Sequence, residues 1–319
     1  MLAYLGRRLL LTIPLLFVVS FVAFGLVHFL PGDPADVILG PEAPREVKEA
    51  LRVKLGLNLP LHVQYGRWLA RVVQGNLGES LVDGSPVAGL IAQRLPATLE
   101  LTVLTFAVST LIAVPLGVAA AVRRATVVDY LSSGVALVGL SVPHFWLGMM
   151  LILLFAAKLQ WLPASGYVPL TQDLRANLMA MALPAMATGL RESGVVARFM
   201  RSSLLEVLRS DYVRTARAKG LSERVVIYRH AIRNALVPVI TASGLQIAGL
   251  LGGLVITETI FVIPGFGRLI VDAIFSRDIT VVQGAVLVAA VMVVVVNLVV
   301  DVVYSLVDPR VKLGGGGER

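Results

Sequence analysis

The chain has 319 residues, of which 57% are hydrophobic and only 15% charged. A soluble domain carries about 25% charged residues, so a water-soluble globule is excluded and the bilayer is the natural solvent. The formal charge of +8 is explained by basic cytoplasmic loops rather than by nucleic acid, and the absence of cysteine excludes disulfides, thiolate metal sites and Cys nucleophiles.

The first apolar run, Leu9 to Leu30, follows Arg7 and Arg8. It is too long for a signal-peptide core of about 7–15 residues, and it ends in Pro31-Gly32-Asp33-Pro34 rather than a small-residue cleavage site. It reads as a retained transmembrane helix. Residues 31–97 then form an external helical region. Arg45 to Leu55 is a short helix closed by Gly56, and Leu61 to Val73 is another, broken by Gly75-Asn76-Leu77-Gly78. Leu95-Pro96-Ala97-Thr98 is expected to open the second span, with the proline in its first turn.

Further spans are expected at Leu99–Val122, Leu131–Ala157, Leu178–Ala197, Leu236–Ile260 and Val281–Tyr304. Each must be helical, because lipid offers the backbone no hydrogen-bond partners. Pro14, Pro115, Pro143 and Pro184 lie inside spans and predict kinks. With a cytoplasmic N-terminus, the inside segments hold 16 basic residues with few acids. The outside segments hold 11, mostly in one long loop where acids balance them. The expectation is an all-α membrane protein of six transmembrane helices, N-in and C-in. Its parts are an N-terminus and first span (1–30), the external region (31–97), a five-span core (98–305) and a cytoplasmic tail (306–319). The Gly314 to Gly317 run is a flexible end, and no internal repeat is apparent.

The longest internal loop, 200–235, carries Asp211-Tyr212-Val213-Arg214-Thr215-Ala216-Arg217-Ala218-Lys219-Gly220. Asp211 is expected to cap a short helix, and Arg217 and Lys219 suit its negative end. Gly220 suits the left-handed position that follows. Ser222 is expected to cap a second short helix from about Glu223 to Ala235. Thr215, Ala216 and Ala218 leave the first helix narrow enough to enter a cleft. Flanking arginines can bond carboxylates or carbonyls there. An interfacial helix lying on anionic lipid is the alternative.

Arg-Thr-Ala-Arg-Ala-Lys-Gly at 214–220, then His-Ala-Ile-Arg-Asn-Ala-Leu-Val-Pro at 230–238, resembles the coupling loop of ABC importer permeases. It is most similar to the B-type permeases of the dipeptide, oligopeptide and nickel family. Arg214 stands where the general importer motif has Glu, and Arg233 where it has Pro, as in that B-type variant. The resemblance extends along the chain through Leu55-Gly56-Leu57, Ser141-Val142-Pro143, Phe145-Trp146-Leu147-Gly148, Trp161-Leu162-Pro163, Glu258-Thr259, Pro264-Gly265-Phe266-Gly267 and Asp308-Pro309-Arg310.

The resemblance implies a type I importer membrane subunit for short peptides, with nickel chelates, glutathione-like peptides or oligosaccharides as other cargoes of the family. The implied partners are a homologous second permease, two ATPases that carry ATP and Mg, and an external solute-binding protein, in a prokaryotic plasma membrane. The segment Asp211–Gly220 would be the coupling helix. No cofactor and no catalysis are expected of this chain, which lacks a phosphate-binding loop.

Ionisable groups at bilayer depth default to functional hypotheses. The candidates for the translocation path or gate are Ser141, His144, Gln246, Glu258 and Asn297. Glu258 is either a cavity or gate residue, or a carboxylate that reaches the interface or caps the turn before Pro264. Arg191 and Glu192 pair as neighbours or reach a second subunit. Asn297 and Asp301 share a helix face, and Asp301 is expected to pair with a loop arginine. Four scattered histidines do not make a metal site. Glycines 244, 249, 252 and 253 are expected to permit close helix approach in the fifth span. An ion-coupled secondary transporter is the rival class, but it has no use for a rigid docking elbow. An intramembrane enzyme would need a zinc or nucleophile motif that the chain lacks.

Overall fold

The computed structural model describes residues 2–29, 35, 39–40 and 42–307. The Pro31-Gly32-Asp33-Pro34 turn, Asp308-Pro309-Arg310 and the C-terminal glycine run lie outside these residues, as do the side chain of Asp301 and the surroundings of Gly253. Among the described residues the only strand-like feature is an isolated bridge between Glu79 and Pro86.

Helices cover all six predicted spans. Val87–Val122, Glu223–Gly252 and Ile279–Val300 are each long and apolar enough to cross a bilayer. Val127–Ser141 and His144–Lys158 are together long and apolar enough for a fourth, with a 99° bend between them. The sequence predicts a kink here, and the structure has a full break. Pro143 has no amide to donate, and it forces Val142 into extended backbone at φ −79° and ψ 124°. Pro14 and Pro184, by contrast, sit inside continuous helices. The fifth span also departs from expectation. It ends at Gly253, and Val255–Ile260 is a separate short helix.

The chain divides into two compact units. The first comprises Leu99–Ile263 with the described part of Val295–Arg319. Its centre is the Leu174–Val207 helix, which packs against Val127–Ser141, His144–Leu151 and Ile232–Gly253. Asp173 caps this helix, accepting from the amides of Arg175 and Ala176 at 2.8 and 3.0 Å. Val196, Met200 and Leu204 bury one side of it against Ala113, Ala235 and Val239. Arg201 clasps Asp129 through two bonds, Nε to Oδ1 at 2.7 Å and Nη2 to Oδ2 at 2.8 Å. Such a bidentate pair fixes the angle between two helices as well as holding them.

Of the crowded glycines in the fifth span, Gly244 does meet a neighbour: a Cβ there would lie 2.3 Å from Val300 Cγ1. Gly249 and Gly252 face open space, so they do not serve close packing within the chain.

The second unit comprises the described part of Leu2–Thr98 together with Pro264–Val294. The two predicted external helices are present at Arg45–Leu55 and Leu61–Val73. Gly56 closes the first at φ +72°. Tyr65 and Trp68 project from the second onto Phe24, and Tyr65 shares a 2.8 Å hydrogen bond with Ser20. Pro96 does not open the next helix as predicted. That helix starts at Val87, because Val87 and Ile91 bury their side chains with Phe266, Val281 and Ala285.

Asp278 ties this unit together. Its carboxylate accepts from Ser80 Oγ at 2.5 Å, from the Leu81 amide at 3.2 Å and from the Val281 amide at 3.3 Å. The last bond caps the final helix. Asp278→Ala is therefore expected to destabilise the protein by about 3 kcal/mol, the sum of a lost cap and lost charge-assisted bonds. Asp278→Asn, which keeps an acceptor, is expected to lose less. Thermal unfolding of the purified protein in detergent checks this, and equal midpoints for all three proteins would overturn it.

Candidate functional site

The elbow begins where the central helix ends at Val207. Ser210 takes the N-cap position of the next helix, with φ −70° and ψ 153°. The sequence assigns the cap to Asp211, but Asp211 is the first helical residue. Its carboxylate pairs with Arg214 one turn on, and it still suits the positive end of the helix. The helix runs Asp211–Ala218 and turns at Gly220, which has φ +77° and open space around it. Backbone conformation, not crowding, requires glycine there. The Gly220 amide donates to the Arg217 carbonyl at 2.9 Å.

The second short helix expected at 223–235 is instead the start of the fifth span. Glu223–Val225, π-helical Val226–Ala231 and Ile232–Gly253 follow one another without a break. No helix-ending residue intervenes, and Pro238 is held inside the helix. The elbow is thus one short helix braced against the root of a membrane span.

Its inner face is fixed. Val213 and Ala216 are buried with Val226, beside Val207 and Leu208. Arg217 bonds Glu223 at 2.6 and 3.3 Å. Asn234 Nδ2 donates to Tyr212 Oη at 2.8 Å. Ala216 is predicted on the docking surface, but the i, i+3 pair with Val213 turns it inward. Arg214, Thr215, Ala218 and Lys219 stand exposed on the other side. The following turns add a basic depression lined by Arg224, Val225, Tyr228 and Arg229.

The predicted path residues fall in different places. Ser141 is exposed just before the 99° break and donates to the Leu137 carbonyl at 2.9 Å. His144 follows the break, and its Nε2 is buried without a hydrogen-bond partner among the described residues. Glu258 is fully buried on the short Val255–Ile260 helix, which overturns the reading of a carboxylate reaching the interface. Its backbone carbonyl accepts from Ile263 at 2.8 Å. Asn297 is half-buried on the last helix.

Gln246 gathers the most partners. Its Nε2 donates to Ser109 Oγ at 3.2 Å and to Glu192 Oε2 at 3.1 Å. Glu192 in turn pairs with Arg191 at 3.3 Å. The sequence does not single out Ser109, and it pairs Arg191 with Glu192 without joining them to Gln246. Two adjacent charges inside an apolar stretch were the available signal.

Comparisons with known proteins identify the family. The family described as "Binding-protein-dependent transport system inner membrane component" matches residues 113–313. Its N-terminal companion, "Binding-prot-dependent transport system membrane comp, N-term", matches residues 1–102. The dipeptide transport system permease protein DppB of Alkalihalophilus pseudofirmus is 44% identical, over 98% of this chain and 100% of its own. The oligopeptide transport system permease protein AppB of Bacillus subtilis is 40% identical, over 98% and 100%. The glutathione transport system permease protein GsiC of Salmonella paratyphi A is 43% identical, over 98% and 99%.

Among solved structures, inward-facing MetNI methionine ABC transporter chains superpose with a TM-score of 0.58 at 16% identity, over 69% of this chain and 96% of theirs. That likeness speaks to the fold alone. The chain belongs to the binding-protein-dependent transport system inner membrane components: it is a multi-pass permease subunit with the type I importer fold, and not an enzyme.

Proposed function

We propose that this permease imports short peptides across a prokaryotic plasma membrane, driven by ATP bound with Mg on two partner ATPases. A homologous second permease completes the path, and an external solute-binding protein delivers the cargo. The N- and C-termini lie on the cytoplasmic side, as does the elbow. The observation that carries this reading is the Asp211–Ala218 helix, pinned on one face and open on the other. A rigid helix rooted in a membrane span can pass a push from a partner into that span, whereas a floppy loop would absorb it. Relatives named for dipeptides, oligopeptides and glutathione supply the cargo class.

Proteoliposomes holding the full complex are expected to accumulate dialanine only with ATP, Mg and the binding protein all present. Accumulation by this chain alone, driven by an ion gradient and indifferent to ATP, would make it a secondary transporter instead.

A further inference from the structure

Arg191 is the eighteenth of the 34 residues of the central helix. It falls inside the Leu178–Ala197 span, about 9 Å from the Ala197 end at 1.5 Å per residue. From Met181 to Ala197 it is the only exposed residue of that helix. A guanidinium inside a membrane span does not face lipid, but an aqueous cavity or another polar surface. The neighbouring Glu192 is held from the other side by Gln246, which is itself tied to Ser109. Among the described residues Gln246 Oε1 is buried with no hydrogen-bond partner, and so is His144 Nε2.

We propose that Arg191, Glu192 and Gln246 form a substrate subsite inside the membrane that takes the zwitterionic backbone of a short peptide. The inference rests on the peptide-import reading above. Arg191 and Glu192 pair with each other at 3.3 Å. An entering peptide exchanges that pair for two new ones. Its ammonium meets Glu192, and its carboxylate meets Arg191. Gln246 Oε1 accepts a peptide N–H. Each charge keeps a partner at every stage, so passage never strands an ion in a medium of low dielectric. Peptide side chains need no partner in this scheme, which allows one path to serve many sequences.

The test uses the complete importer in proteoliposomes. Replacing both charges by apolar residues, Arg191→Leu with Glu192→Leu, removes an ion pair without leaving either charge alone. If the pair is only structural, this double variant transports dialanine like the parent. A subsite predicts assembly with the ATPases but uptake lowered roughly tenfold or more, as for loss of two desolvated charge contacts. Parent-like uptake by the double variant overturns the proposal.

A second variant is independent of folding around the pair. The chain has no cysteine, so Val195→Cys, one turn beyond Arg191, places a single thiol beside the site. Labelling by a water-soluble sulfonate thiol reagent is expected, together with protection by dialanine. A thiol that never labels, or that labels equally with and without dialanine, also overturns the proposal. If the parent complex itself accumulates no dialanine, the peptide reading fails rather than the placement of the subsite.

Discussion

Adding one methyl group at Gly194 is expected to destabilise the protein by about 1–3 kcal/mol, the usual range for overpacking a tight contact. A Cβ there would sit 2.4 Å from the carbonyl oxygen of Ala136 and 2.9 Å from Leu140 Cγ. The first of these is backbone and cannot rotate aside. The contact joins the Val127–Ser141 helix to the central helix. Gly117 makes the matching approach from the Val87–Val122 helix, where a Cβ would lie 2.6 Å from Met200 Cβ and 2.7 Å from the Ala197 carbonyl.

In lipid, helices associate through such close packing, because tails and leucines are equally apolar. Gly134 provides the control. It lies on the Val127–Ser141 helix with nothing within 4 Å of a Cβ, so Gly134→Ala is expected to be neutral or stabilising by up to about 1 kcal/mol through helix propensity. Thermal midpoints in one detergent compare Gly194→Ala, Gly117→Ala and Gly134→Ala. A midpoint for Gly194→Ala no lower than that of Gly134→Ala would remove glycine packing as the reason the central helix sits so close to its neighbours.

Particular residues explain what the chain reveals in advance. Gly220 is legible because a left-handed turn after a short amphipathic helix leaves few other choices. The start of that helix is misplaced by one residue because Ser210 and Asp211 are both good caps. Glu223 to Ala235 looks like an independent helix because its first turns are polar. Only the tertiary fold shows that it continues into a span. The Val87–Val122 helix begins well before its apolar stretch, since hydropathy marks the length inside lipid and not the length of the helix. Pro143 announces a disturbance without its angle, which neighbouring helices set. The Ser109–Gln246–Glu192 track joins three helices distant in sequence, and no local pattern encodes it.

The elbow offers the sharper functional test, because its two faces predict opposite kinds of failure. Ala216 and Ala218 are two residues apart, identical in chemistry and opposite in setting. Ala216 is 7% exposed and packs within the chain. Ala218 is exposed. Ala218→Trp is therefore expected to leave thermal stability unchanged while blocking the seat in an ATPase groove. Displacing a central interface contact costs about 2 kcal/mol or more, so ATPase copurification and peptide uptake should both fall by more than about tenfold. Arg214→Glu should act the same way, since it reverses an exposed charge beside Asp211 without touching the core. Ala216→Trp should instead lower the thermal midpoint, because it forces a ring into the space between Val213 and Val226. A lipid-lying helix predicts a different result for Ala218→Trp. Tryptophan favours the membrane interface, so ATPase recruitment would stay intact and uptake would persist. Unchanged recruitment with unchanged uptake in both Ala218→Trp and Arg214→Glu would leave the elbow as a structural brace only.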